Sequence, residues 1–129
     1  LRNKSLITEY KKQDLPNYEV FDEKRYFQPG KGPGIFEVNG LRVGLSVCED
    51  IWHENVIKQL HEKKTDLILN INASPFHLDK IKERKALISG HAIDYSLPIV
   101  YANQVGGQDE LVFDGTSMAM DGEDTRYSN

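Results

Sequence analysis

A chain of 129 residues, 39% hydrophobic and 28% charged, has room for one domain core, a sheet covered by a couple of helices, and its scattered Gly and Pro exclude the disordered and collagen-like classes. A net charge of -4 with both signs interspersed offers no basic stripe for phosphates, so nucleic acid is not an expected partner. No apolar stretch approaches the roughly 20 residues that cross a bilayer, no charged-then-apolar leader opens the chain, and one cysteine rules out an internal disulfide framework, so a protein of a reducing, cytoplasmic compartment away from membranes is expected.

Residues 5–12 (SLITEYKK) alternate as a strand does, and the preceding RNK reads as the turn of a hairpin whose first arm is absent. Residues 14–34 carry three prolines and three glycines without a period. They read as a long ordered loop, and Tyr18, Phe21, Tyr26 and Phe27 mark it as functional. IFEV and LRVGLSVC, joined by Asn39-Gly40, form a predicted tight hairpin that places Cys48 at the C-terminal end of a strand. An amphipathic helix over 55–64 follows, with Val56, Ile57 and Leu60 on one side. Residues 66–72 (DLILNIN) read as a strand buried on both faces. A longer helix over 79–95 sets Ile81, Ile88, Ala92 and Tyr95 on one stripe and its charges on the other. Residues 97–103 read as an inner strand, and 110–123 as two short strands around Asp114-Gly115. Strands alternating with helices predict an α/β layered fold with ligands at the C-terminal strand ends.

Cys48 can be read in two ways. A lone cysteine ending an apolar strand is often inert core. Strand ends that open into a helix, however, are where α/β folds place nucleophiles, beside N–H groups that favour a thiolate and an oxyanion. Glu49 and Asp50 would raise a thiol pKa unless a cation intervenes, and Lys11 or Lys12 could supply one. Asp22 and Glu23 read most simply as surface charges pairing with Lys24 or Arg25. The four histidines lack ligand spacing, so no metal site is expected, and DGEDTR near the end reads as a turn, not a calcium loop.

Four segments taken together, KKQDLPNYEVFDEKRYFQPG, GLSVCEDIW, LILNINASPFHLDKIKER and QVGGQDELVFDGTS, resemble the glutaminase domains of glutamine-dependent NAD(+) synthetases, a branch of the nitrilase, or carbon–nitrogen hydrolase, superfamily. The resemblance implies part of a four-layer αββα sandwich with a Glu-Lys-Cys triad. It puts Lys12 and Cys48 in the triad and Glu23 at a second glutamate beside the lysine, while the general-base glutamate belongs to a segment upstream of these residues. By the same resemblance Tyr18, Ser74 and Lys80 bind L-glutamine, and Glu49 and Trp52 line the pocket.

Residues 1–129 are then expected to be part of such a domain, truncated at both ends, inactive alone, needing no cofactor and lacking the synthetase domain, where ATP and Mg would bind. A synthetase domain of the same chain and a homo-oligomer are the implied partners. One departure is Glu19, where the family commonly has Gly. Two other readings remain open at this point, an amidase for a different carboxamide and a non-catalytic interaction module with Cys48 in its core.

Overall fold

In the computed structural model, residues 3–122 and 125–128 are described. The chain forms a six-stranded mixed sheet and a two-stranded one. Strands β1 (Gly34–Val38) and β2 (Leu41–Val47) make the expected hairpin. Asn39 and Gly40 turn it with φ of 50° and 80°, the positive pair that matches the twist of the flanking strands and that Gly adopts without cost.

A 3₁₀ turn (Cys48–Trp52) and helix α2 (Glu54–Glu62) lead into β3 (Leu67–Asn72), and helix α3 (Lys80–Asp94) into β4 (Ile99–Asn103). Strands β2, β3 and β4 run parallel, with β1 antiparallel on one flank and β7 (Met118–Met120) then β8 (Thr125–Ser128) antiparallel on the other. No described helix is long and apolar enough to cross a membrane.

Register decides which residues face the helices. Ser46, Asn70, Tyr101 and Met118 are successive partners across four strands, and all are buried. Ile68, Ile99 and Met120 form the next row, and Val56, Ile57 and Leu60 of α2 with Ile88 and Ala92 of α3 close over it. Each fully buried Ile or Leu contributes about 1.5–3 kcal/mol relative to exposure. The opposite face carries another apolar row, Leu45, Leu69, Val100 and Ala119, which is only half-buried. Helices on one face of a mixed sheet establish the predicted α/β class.

Several expectations need correction. Residues 5–12 are not a strand: after a turn at Asn3 and Lys4 the segment makes a single bridge at Ser5 and has no regular structure beyond it. Side chains attach it instead, since Thr8 Oγ1 donates to the Ile35 carbonyl at 2.7 Å and Tyr10 lies over Gly34, where a Cβ would come within 2.6 Å of its own. The long loop holds a short helix, α1 (Glu23–Tyr26).

The strands flanking Asp114-Gly115 belong to different sheets. β6 (Leu111–Asp114) pairs with β5 (Val105–Gln108), which the sequence did not reveal because VGGQ has no alternation, whereas β7 turns back to β4. On α3 the buried stripe includes Arg84 and His91 beside Ile88 and Ala92, whereas the helix's charges were expected on the other side. The predicted DGEDTR turn lies partly outside the described residues, as does Arg2.

Candidate active site

The C-terminal ends of the neighbouring parallel strands β2 and β3 border the site, with Val47 and Cys48 from one and Ile71, Asn72 and Ala73 from the other. β2 leads directly into Cys48, the chain's only cysteine, whose backbone takes φ of 47°. A left-handed conformation costs a non-glycine residue roughly 1–2 kcal/mol, so the turn must be held by its surroundings. β3 is followed by Ala73 and Ser74, and β4 ends at Asn103.

Cys48, Lys12 and Glu23 line one cavity of about 670 Å³, with Leu15, Phe21 and Ile71 on its apolar wall. Lys12 Nζ donates to both Glu23 oxygens at 2.8 Å, in a pair largely withdrawn from solvent. An ammonium has three N–H donors, so one remains for the cavity. Of the two candidate cations, both border this cavity; Lys11 pairs with Glu9 in solvent, whereas the charge of Lys12 acts on Cys48. Glu23 is therefore not the surface charge that its local sequence indicates.

Burial pushes the Cys48 thiol above its ordinary value. Lys12 opposes this, Glu49 adds to it, the Ala73 N–H that donates to the sulfur opposes it, and Glu23 adds to it. The resting group is a neutral thiol, which needs a base before it can attack.

Tyr18 and Glu49 meet next door. The phenol lies 2.9 Å from both Glu49 oxygens, and with His53 the pair lines an adjoining cavity that shares Leu15, Phe27 and Gln28 with the first. Burial and the Glu49 carboxylate both raise the Tyr18 pKa, so the phenol remains a donor. Glu19 follows with φ of 52°, a conformation that Gly would take more freely. Lys80 Nζ lies 3.9 Å from the centre of the Trp52 ring and 3.5 Å from Glu83. Ser74 is buried, and its N–H donates to Asn103 Oδ1 at 2.9 Å.

Asp50, Arg84 and Asp114 have roles that the sequence reading did not give them, and Asp50 is not among the groups that raise the thiol. Asp50, fully buried, accepts hydrogen bonds from the backbone N–H groups of Gln13, Asp14 and Val47 and from the Tyr10 hydroxyl. Arg84, also fully buried, donates twice to Asp114 at 2.9 and 3.0 Å and to the carbonyls of Ser74 and Pro75. Asp114 is tied to Thr116 as well. The only sequence signal for Arg84 was its position, in step with Ile81 and Ile88 on the apolar stripe. Among the described residues no three His, Cys, Asp or Glu side chains are grouped to hold a metal ion.

The Lys12 segment is pinned against the loop at Gly30, whose N–H donates to the Lys12 carbonyl at 2.8 Å and whose Cβ, if present, would lie 2.0 Å from the Lys11 carbonyl oxygen. Gly30→Ala is expected to lower stability by about 1–3 kcal/mol in urea unfolding, because backbone must move. Gly32→Ala, with nothing within 4 Å, is expected to stay within about 0.5 kcal/mol.

A family model described as carbon-nitrogen hydrolase matches residues 2–123. The glutamine-dependent NAD(+) synthetase of Aquifex aeolicus is 48% identical over 112 residues, covering 86% of this chain and 20% of that protein. The structure of the glutamine-dependent NAD+ synthetase from Acinetobacter baumannii superimposes with a TM-score of 0.89 at 45% identity, over 93% of this chain and 23% of that one. A variant of the amidase from Nesterenkonia sp. AN1, with covalent addition of the acetamide moiety of fluoroacetamide at its active-site cysteine, gives a TM-score of 0.73 at 26% identity, over 88% of this chain and 41% of that one. The chain thus spans about a fifth of the length of the synthetases it matches. With a family match over nearly all of its residues and a neutral thiol set beside a lysine–glutamate pair at the strand ends, the chain belongs to the carbon–nitrogen hydrolase family.

Proposed function

We propose that these residues are the amide-cleaving part of a glutamine-dependent NAD(+) synthetase, with Cys48 as nucleophile and L-glutamine as substrate. The observation that carries this reading is the single cavity lined by Cys48, Lys12 and Glu23. In the proposed reaction a carboxylate base takes the Cys48 proton, and sulfur bonds to the side-chain carbonyl carbon of glutamine. The remaining Lys12 N–H and backbone N–H groups stabilise the oxyanion. The C–N bond breaks, and ammonia leaves with the proton returned by the base. Water then cleaves the γ-glutamyl thioester to glutamate and restores the thiol. Tyr18, Ser74, Lys80, Glu49 and Trp52 hold the amino-acid end of the substrate.

Both oxygens of Glu23 are engaged by Lys12, and both of Glu49 by Tyr18. The resemblance to the family implies that the base is a further glutamate, upstream of these residues. The ammonia is used in a synthetase domain of the same protein that binds ATP and Mg and amidates nicotinic acid adenine dinucleotide, within a cytoplasmic homo-oligomer. The apolar wall of Leu15, Phe21 and Ile71 favours, as a second reading, a simple aliphatic amide.

Treating the full-length protein with a glutamine-mimicking electrophile is expected to abolish glutaminase activity and to leave one adduct, on Cys48, by peptide mass mapping. Residues 1–129 alone are expected to turn over no glutamine. Retained activity without an adduct would refute the nucleophile, and faster turnover of acetamide than of glutamine would favour the second reading.

A further inference from the structure

We propose that Asp50 is the positioning residue that sets Lys12 against Cys48, a role that rests on the reading of Cys48 as the nucleophile. One oxygen of its carboxylate, Oδ1, accepts from the N–H groups of Gln13 at 3.0 Å and Asp14 at 2.8 Å, the two residues that follow Lys12. The other, Oδ2, accepts from the N–H of Val47 at 2.9 Å, the residue that precedes Cys48, and from the Tyr10 hydroxyl at 2.8 Å. A single rigid group therefore clamps the chain on either side of the site.

The side chain is fully buried, and its four partners are neutral donors. A buried carboxylate without a cation is costly unless its lone pairs are filled, and here they are filled by the two segments whose separation matters for catalysis. The same clamp answers the strain at Cys48: fixing the Val47 N–H from three residues downstream closes the turn that holds Cys48 at φ of 47°. Asp50 touches neither the thiol nor the cavity and acts through Lys12 and Cys48 alone.

Asp50→Asn is nearly isosteric but offers one acceptor oxygen and one amide N–H₂. One end of the clamp survives, and at the other a donor meets the donor of Val47 or of Gln13 and Asp14. Lys12 and Cys48 then lose their fixed separation, and with it goes the opposition that the Lys12 charge sets against burial of the thiol. The charged and titratable groups acting on the sulfur are Lys12, Glu49, Glu23, Tyr18 and Tyr101. Burial holds both tyrosines above their ordinary value.

The test is the rate of Cys48 alkylation by iodoacetamide against pH, with kcat and KM for glutamine, in the full-length protein. Asp50→Asn is expected to move the alkylation profile to higher pH and to lower kcat on the order of 10²-fold, as misplacement of a reacting group does, with KM nearly unchanged. Tyr10→Phe, which removes one donor and leaves the carboxylate, is expected to shift both readouts in the same direction by less, and it serves where Asp50→Asn fails to fold. Ser46→Ala deletes a buried hydrogen bond with Asn70 and is the control for lost stability alone. If wild-type Cys48 alkylates while the Asp50 and Tyr10 variants keep its profile and kcat, the positioning role is overturned and the nucleophile stands. An inert wild-type Cys48 overturns both.

Discussion

Lys12→Met in the full-length protein is expected to lower kcat for glutamine by about 10²- to 10³-fold, the usual loss when one oxyanion donor is removed, with KM changed far less, in steady-state assays at saturating glutamine. Two of the three ammonium donors are committed to Glu23, so the ground-state substrate gains little from the third. An interaction that strengthens only as the oxyanion forms appears in kcat rather than in KM. The variant also removes the positive charge that opposes burial at Cys48. Alkylation of the thiol is therefore expected to need higher pH than in the wild type, and a kcat within threefold of wild type would exclude Lys12 from the chemistry.

Arg84→Met is expected to cost about 3–5 kcal/mol of stability, as the loss of one partner from a buried ion pair does. The guanidinium is fully buried and binds the Asp114 carboxylate with Nη1 and the ends of the Ser74–Pro75 turn with Nη2. Methionine keeps much of the volume but removes the Arg84 donors, leaving the Asp114 carboxylate with Thr116 as its side-chain donor and the Pro75 carbonyl without this bond. Because Ser74 is held by this network, KM for glutamine should rise in whatever fraction remains folded. Urea unfolding with a parallel Arg84→Met/Asp114→Asn double variant separates the two effects, since removing both charges recovers part of the loss.

The same pair gives a pH signature. Burial alone would raise the Asp114 carboxyl, but the Arg84 hydrogen bonds and charge, with the Thr116 hydroxyl, outweigh it and hold the group below its ordinary value. A carboxyl lowered on folding stabilises the fold above its unfolded pKa, about 3.9, and this contribution is lost as pH falls through the lowered folded value. Wild type should therefore lose stability below about pH 4 more steeply than Arg84→Met, which has no such pair to lose.

Much of the scaffold could be read from local pattern. Asn39-Gly40 between two alternating runs names its own turn, the apolar runs 66–72 and 97–103 became the parallel strands β3 and β4, and the helices lie within two residues of their predicted ends. Those features depend on period and on residues that dictate φ, which are properties of a short window. The position of Cys48 at a strand end was legible for the same reason. Its role was not, because the choice between inert core and nucleophile turns on what lies beside the sulfur.

Residues 5–12 show the converse. Their alternation is real, but a strand needs a ladder partner, and here Thr8 and Tyr10 attach the segment to β1 by side chains. β5 was invisible because two glycines erase the pattern that pairing with β6 supplies.

By itself the sequence determined the α/β class, the hairpin, the parallel strands and the place of Cys48 at the end of one of them. Long-range packing revealed that the charge of Lys12 rather than Lys11 acts on the thiol, that Glu23 is the partner of Lys12, and that Arg84, Asp50 and His91 belong inside. The physical reason is that burying a charge or a polar ring is decided by its partners, and here those partners lie far along the chain: Asp114 for Arg84, the segment after Lys12 for Asp50, and the Ile51 carbonyl for His91.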